Sequence, residues 1–246
     1  MCDSEACMTV APASTRRLFL RMSGASAFAA ALTGNLAVAA ETIVLPKPQN
    51  ALLPDDAVTS LMEGNARYVS GVTRRHDFVH EREALSSGQN PFAAVLSCAD
   101  SRIAPEYAFD SARGDLFVTR VAGNFVNGDV LGSLEYAVVV LNVPIILVLG
   151  HDRCGAVDAA VKVATKEATY PGMIHSLVTT MLPAVDKVKG KTTNLLDATI
   201  TQNVRDSMTN LVVQSAIIQE AKKAGKLKVI GGVYRLSTGK VDLLDS

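Results

Sequence analysis

Two strongly apolar runs, each followed at once by a cluster of polar side chains, constrain the fold of this chain most. The runs are residues 92–97 (FAAVLS) and 143–149 (VPIILVL), and each has the length and composition of a buried strand. The clusters are residues 98–102 (CADSR) and 151–154 (HDRC). Strands buried on both faces are typical of parallel sheets, whose carboxyl ends gather side chains from neighbouring strands. The two clusters are therefore expected to meet at one point.

The rest of the chain alternates between strand and helix patterns. Helices are expected near residues 56–70, 78–87, 132–141, 156–164, 174–188 and 195–224, with further strands at 116–121 and 228–236 and a terminal hairpin strand at 240–244. Such alternation favours an α/β fold, and 246 residues suffice for one domain with its own core. The sequence predicts a central, mainly parallel β-sheet flanked by helices, with an N-terminal helical arm and a C-terminal β-hairpin.

The first forty residues differ from the rest. Residues 14–21 (STRRLFLR) resemble the twin-arginine export signal, and an uncharged, alanine-rich stretch follows at 24–40. A membrane anchor is the alternative, but this stretch is too short and too rich in small polar residues to favour one. We expect a signal peptide at 1–39, a linker or arm at 40–54, a catalytic domain at 55–246, and a periplasmic protein without a stable membrane anchor after cleavage.

Charge and cysteine content narrow the classes of function. The chain carries 24 basic and 24 acidic residues, so no basic field predicts a nucleic-acid partner. Two of its four cysteines, Cys2 and Cys7, lie within the expected signal peptide, which leaves Cys98 and Cys154 in the mature protein. A single disulfide between them is one interpretation for an exported protein. The nearby Asp100 and His151 favour a metal site instead.

The two clusters together supply a ligand set for Zn²⁺. Cys98, Asp100, His151 and Cys154 offer two thiolates, one carboxylate and one imidazole, which are the ligands that zinc takes in a tetrahedron. Arg102 follows Asp100 closely and presents a planar fork that matches a carboxylate. Asp100 is thus either a fourth metal ligand, which closes the site, or a partner of Arg102, which leaves a position for water. In the second arrangement zinc generates hydroxide near neutral pH.

Four segments, which include the two clusters, resemble the β-class carbonic anhydrases in order and spacing: residues 98–106 (CADSRIAPE), 114–124 (GDLFVTRVAGN), 133–138 (SLEYAV) and 150–155 (GHDRCG). The resemblance implies one Zn²⁺ per subunit on Cys98, His151 and Cys154, with Asp100 joining only in a closed state. It implies that Asp100 and Arg102 form a catalytic dyad that orients the nucleophile. The implied reaction is reversible hydration of CO2 to bicarbonate and a proton, by attack of zinc-bound hydroxide. The implied assembly is a homodimer or higher homo-oligomer with active sites at subunit interfaces.

The resemblance also implies residues of a substrate pocket. The plant-like members have a glutamine at the place of Gln89, and apolar pocket positions fall on Phe117, Ala122 and Tyr136. The bicarbonate-inhibited members have a tryptophan where this chain has Val95, which favours an open resting site. Two alternatives remain: hydrolysis of COS or CS2 on the same zinc site, and a non-catalytic zinc-binding protein whose four ligands stay closed.

Overall fold

Five strands form one sheet in the computed structural model, which describes residues 51–245. The strands are β1 (Ala93–Ser97), β2 (Leu116–Arg120), β3 (Ile145–His151), β4 (Lys228–Tyr234) and β5 (Val241–Leu243). Their order across the sheet is β2-β1-β3-β4-β5, and the first four run parallel to one another. Only β5 runs antiparallel, as the partner of β4 in the terminal hairpin. The predicted mainly parallel sheet with a C-terminal hairpin is confirmed.

Helices cover both faces of this sheet. They are α1 (Pro54–Val69), α2 (Phe78–Leu85), α3 (Pro105–Ala108), α4 (Gly128–Val139), α5 (Gly155–Ala164), α6 (Gly172–Thr179), α7 (Leu182–Val188), α8 (Leu195–Gln214) and α9 (Ala216–Lys223). Successive strand side chains point to opposite faces, so Val95 and Leu147 join a core with α1, α5 and α7. Ala94 and Ile146 face a second core with α4, α8 and α9. Burial on both faces explains why β1 and β3 are continuously apolar.

Two of the predicted helices are each divided in two. The helix expected at 174–188 is α6 and α7, and Pro183 lies in the first turn of the second, where a proline is tolerated. The helix expected at 195–224 is α8 and α9, separated by the extended residue Ser215. The hydroxyl of Ser215 accepts the Ile218 N–H at 3.1 Å, and so caps α9. It also donates to the Glu135 carboxylate at 2.6 Å, which ties this break to α4.

The expected signal peptide at 1–39 and most of the linker at 40–54 lie outside the described residues. Between residues 51 and 245, none of the helices combines the length and the apolar character needed to cross a bilayer.

Candidate metal centre

Three metal-ligating side chains meet at the carboxyl end of the sheet. Cys98 follows β1 directly, His151 is the last residue of β3, and Cys154 precedes the first turn of α5. Because β1 and β3 are adjacent and parallel, both clusters emerge at the same edge. The ligand atoms of the three residues all lie within 4.8 Å of one another, and the two sulfurs are 3.8 Å apart. The side chains are 3%, 0% and 1% exposed, which places the centre inside the protein.

The imidazole of His151 is oriented for a metal. Its Nδ1 lies 2.8 Å from the backbone carbonyl oxygen of Asp152, and a carbonyl only accepts, so Nδ1 carries the proton. The other nitrogen, Nε2, is then an unprotonated acceptor that is buried without a hydrogen-bond partner. A buried acceptor of this kind is costly unless something binds it. Its position beside two thiols fits a thiophilic cation such as Zn²⁺.

The two cysteines are free thiols, so the disulfide interpretation is not what the structure adopts. The neighbouring Cys154 thiol, together with His151 and the Gly123 amide, lowers the pKa of Cys98, although burial opposes this. The same neighbour and its own burial raise the pKa of Cys154. The Gly123 N–H reaches the Cys98 sulfur at 3.3 Å. A cation bound between the two sulfurs would favour the thiolate form of both.

Asp100 lies at the rim of this centre and is bound to Arg102. Arg102 donates from Nε to Oδ1 at 2.9 Å, from Nη2 to Oδ2 at 2.7 Å, and from its backbone N–H to Oδ1 at 2.9 Å. These bonds to Arg102 hold the pKa of Asp100 well below its usual range, against a smaller opposing effect of burial. Oδ2 is 3.8 Å from Nε2 of His151. The carboxylate thus faces the three ligands while the arginine fork occupies both of its oxygens.

Arg120 fixes the turn that carries Cys98 and Asp100. It ends β2 in register with Ser97, and its guanidinium donates to three backbone carbonyls of the neighbouring turn. Nε reaches the oxygen of Cys98 at 2.9 Å, and Nη2 reaches those of Asp100 at 2.6 Å and Ile103 at 2.9 Å. The sequence signal for this structural, non-catalytic role is the position of Arg120 at the end of β2, the strand that neighbours β1.

The structure places the four residues assigned to the substrate pocket on the segment before β1, on β2, in the turn after β2 and on α4. Ala122 is half-buried and precedes Gly123, whose amide contacts Cys98. Gln89 is exposed in the segment before β1. Phe117 on β2 and Tyr136 on α4 contact each other, with ring centroids 6.1 Å apart, and Tyr136 is 47% exposed. Phe117 packs against the α4 core of the sheet, whereas the cysteines belong to the core on the opposite face.

Comparison with known proteins assigns the chain to a family. The sequence profile described as carbonic anhydrase matches residues 93–241, more than half of the chain. Carbonic anhydrase 2 of Mycobacterium tuberculosis is 40% identical over 194 residues, which cover 78% of this chain and 93% of that protein. The carbonic anhydrase of Mycolicibacterium smegmatis is 37% identical over 191 residues and covers 77% of this chain, with 93% of the relative aligned.

Solved structures agree with this assignment. The β-carbonic anhydrase CcaA superposes with a TM-score of 0.60 at 28% identity, covering 76% of this chain and 95% of that one. The Coccomyxa β-carbonic anhydrase in complex with acetazolamide gives a TM-score of 0.59 at 27% identity, covering 77% and 82%. The chain belongs to the β-carbonic anhydrase family. It is therefore an enzyme whose cofactor is zinc, and Cys98, His151 and Cys154 could hold the ion.

Proposed function

We propose that the chain catalyses reversible hydration of CO2 to bicarbonate and a proton, with zinc on Cys98, His151 and Cys154. The single observation that carries this is the buried, unpartnered Nε2 of His151 within 4.8 Å of two thiol sulfurs. When bound, the ion supplies Lewis-acid activation of a water molecule near neutral pH. The protein itself would orient that water and admit a small, apolar substrate.

Asp100 and Arg102 are proposed as the orienting dyad. The arginine fork keeps Asp100 ionised, so the carboxylate can only accept hydrogen bonds. Its Oδ2 lies 3.8 Å from Nε2 of His151, which places an acceptor beside the ligand atoms. A water bound beside these atoms would donate a hydrogen bond to Asp100, which would turn a lone pair of the water toward CO2. Arg102 is itself anchored by a bond of 3.2 Å to the carbonyl oxygen of Arg153, next to Cys154.

A second copy of the chain is proposed to complete the substrate pocket, as a homodimer or higher homo-oligomer. Phe117 and Tyr136 lie on the face of the sheet opposite the core that contains the cysteines, yet α4 exposes Tyr136, Val139 and Val140 to solvent. An exposed apolar helix face supports association with another subunit. The β-carbonic anhydrases of Sordaria macrospora, which share the fold at 22% identity and a TM-score of 0.61, are tetrameric. Sedimentation equilibrium of the purified protein tests this, and a monomer at micromolar concentration contradicts it.

Export by the twin-arginine route is proposed for the segment before the enzyme domain. Residues 14–21 (STRRLFLR) and the alanine-rich stretch after them support a signal at 1–39, a linker at 40–54 and a periplasmic domain at 55–246. Cleavage would leave the mature enzyme without a membrane anchor. Changing Arg16 and Arg17 to lysine should retain the protein in the cytoplasm of a twin-arginine-competent host. Unchanged periplasmic activity in that double variant rejects the proposal.

Stopped-flow measurement of CO2 hydration between pH 7 and 9 tests the activity itself. The zinc-loaded enzyme should show a rate that disappears with chelation and returns with added Zn²⁺. A protein that binds stoichiometric zinc but shows no rate above the buffer contradicts the catalytic proposal while leaving the metal centre intact.

A further inference from the structure

Helix α8 directs two buried polar side chains at the turn that follows β2. Asn203 and Ser207 are one helical turn apart and are 3% and 2% exposed. Nδ2 of Asn203 donates to the carbonyl oxygen of Gly123 at 2.7 Å, and the Ser207 hydroxyl donates to that of Asn124 at 3.1 Å. These contacts join residues 80 and 83 positions apart in the sequence.

The Gly123 turn matters because its backbone touches a metal ligand. The Gly123 N–H donates to the Cys98 sulfur at 3.3 Å, while its carbonyl oxygen accepts from Asn203. Gly123 has φ +85°, and a Cβ there would collide with the sulfur of Met181. Glycine is therefore required at this position, but it has no side chain by which packing can fix it and it is the most flexible residue of a chain. Hydrogen bonds to its backbone have to set its orientation.

The polar identity of Asn203 is not explained by packing alone. Its neighbour Val204 already fills the space beside β3, where a Cβ on Gly150 would come within 2.7 Å of the valine methyl. An apolar side chain of the same shape as asparagine would occupy the buried position at lower desolvation cost. What such a side chain would lack is the donor to the Gly123 carbonyl.

We propose that Asn203 is a positioning residue of the metal centre: it holds the Gly123 turn so that the amide stays on the Cys98 sulfur. This rests on the proposed zinc enzyme. An N–H donor draws electron density from a thiolate, so its presence tunes how strongly that sulfur donates to the ion, and groups behind metal ligands commonly affect metal affinity in this way. Ser207 binds the next carbonyl in the turn and has no direct connection to the sulfur.

The test compares Asn203→Leu with Ser207→Ala in the cobalt-substituted protein. Both changes remove one buried hydrogen bond from the same helix face to the same turn, so both lower thermal stability. Only Asn203→Leu should move the thiolate-to-Co²⁺ charge-transfer band to longer wavelength, because only there does the sulfur lose its N–H donor. Zinc affinity, measured by competition with a chromogenic chelator, should fall about tenfold to a hundredfold in the same variant, because the released turn no longer holds the Cys98 sulfur in place for the ion. Asn203→Ala, which removes the donor without added volume, should shift the band in the same direction.

The outcomes separate the positioning role from the metal centre. Folded Asn203 variants with the band position and zinc affinity of the unchanged protein overturn the positioning role. A band shift in Ser207→Ala as large as in Asn203→Leu overturns it as well, because the effect is then general loosening of the turn. If the protein with its original sequence shows no thiolate-to-Co²⁺ band after cobalt substitution, both the proposed metal centre and the positioning role of Asn203 are wrong.

Discussion

Arg102 holds both carboxylate oxygens of Asp100, with Nε 2.9 Å from Oδ1 and Nη2 2.7 Å from Oδ2. The two residues are separated by a single position in the turn after β1, so one short segment supplies an acceptor and the group that keeps it ionised. The fork also occupies the oxygens that would otherwise bind the metal. The geometry thus separates Asp100 from the three-ligand set of Cys98, His151 and Cys154.

Asp100→Asn should retain zinc and lose most of its turnover. The amide keeps the shape of the carboxylate but cannot accept with both of its terminal atoms, so the water loses its orienting acceptor. Because a positioned acid or base contributes about a hundredfold or more, kcat should fall by at least that factor. Stopped-flow kinetics gives kcat, and plasma mass spectrometry gives the zinc content.

Asp158→Asn is the matched control for that change. Asp158 lies on α5 near the same end of the sheet, but its carboxylate pairs with Lys162 at 2.6 Å on the protein surface. Its loss should leave kcat within a factor of about two, as surface ion pairs contribute little. Full turnover in Asp100→Asn would remove Asp100 from the mechanism.

Cys154→Ser should abolish stoichiometric zinc binding. The change replaces one of two thiolates with a hydroxyl, a much weaker zinc ligand. Zinc content after dialysis against a mild chelator is the measurement. Ser101→Ala, an exposed change in the turn that carries Asp100, should keep one zinc per chain. A Cys154→Ser protein with full zinc would place the ion elsewhere.

The ligands and the sheet could be predicted from the sequence because both depend on residue type. Thiol and imidazole side chains mark a zinc site whatever surrounds them, and the strands β1 and β3 are apolar throughout since both of their faces are buried. Pro183 marks the boundary inside 174–188, but the one inside 195–224 could not be predicted, because Ser215 also fits a helical pattern. Its extended conformation is fixed by Glu135, which is 80 positions away.

The hydrogen bonds that hold the turns next to the ligands could not be predicted for a related reason. Arg120 and Asn203 act on backbone carbonyls, which every residue carries, so the pattern of their partners is invisible in the sequence. The position of Phe117 and Tyr136 away from the cysteine-containing core also follows from how strands alternate across the two faces. Only the assembled sheet shows on which side each side chain lies.

Arg120→Lys should loosen the turn between Cys98 and Ile103. A lysine keeps the charge but lacks the planar fork, so it cannot reach three carbonyls at once. The free energy of unfolding should fall by about 1–2 kcal/mol, the net effect of losing one or two hydrogen bonds from a charged donor. Urea denaturation of the zinc-loaded protein measures this.

Arg205→Lys provides the comparison for Arg120. Arg205 is exposed and donates to one backbone carbonyl, that of Asp245, at 2.9 Å. Its replacement should change stability by less than about 0.5 kcal/mol, as surface substitutions usually do. Equal losses in the two variants would mean that the three bonds of Arg120 have no special effect on the turn.

Protonation of Asp110 should contribute to the loss of folding stability at acid pH. Burial alone would raise the pKa of this carboxyl, but the Arg67 side chain at 2.6 Å and the Arg74 backbone N–H outweigh that effect and lower it. The unfolded chain therefore binds this proton more readily than the folded one. The stabilisation is complete above the ordinary aspartate pKa of about 3.9 and is lost as pH falls through the lowered value. Asp110→Asn should destabilise the protein at pH 7, and the difference from the unchanged protein should shrink below pH 4.

The contribution of Asp115 to stability should change with pH in the opposite direction to that of Asp110, so the two carboxyls can be compared within one protein. Its burial raises the pKa of the carboxyl despite a hydrogen bond of 2.8 Å from the Ala112 N–H. The folded chain then binds the proton more tightly than the unfolded one, so this contribution to stability falls as pH rises from about 3.9 through the raised value. The stability of Asp115→Asn relative to the unchanged protein should therefore increase with pH. Urea unfolding at pH 3.5 to 7 measures both variants, and slopes of the same sign would show that the two carboxyls are not perturbed in opposite directions.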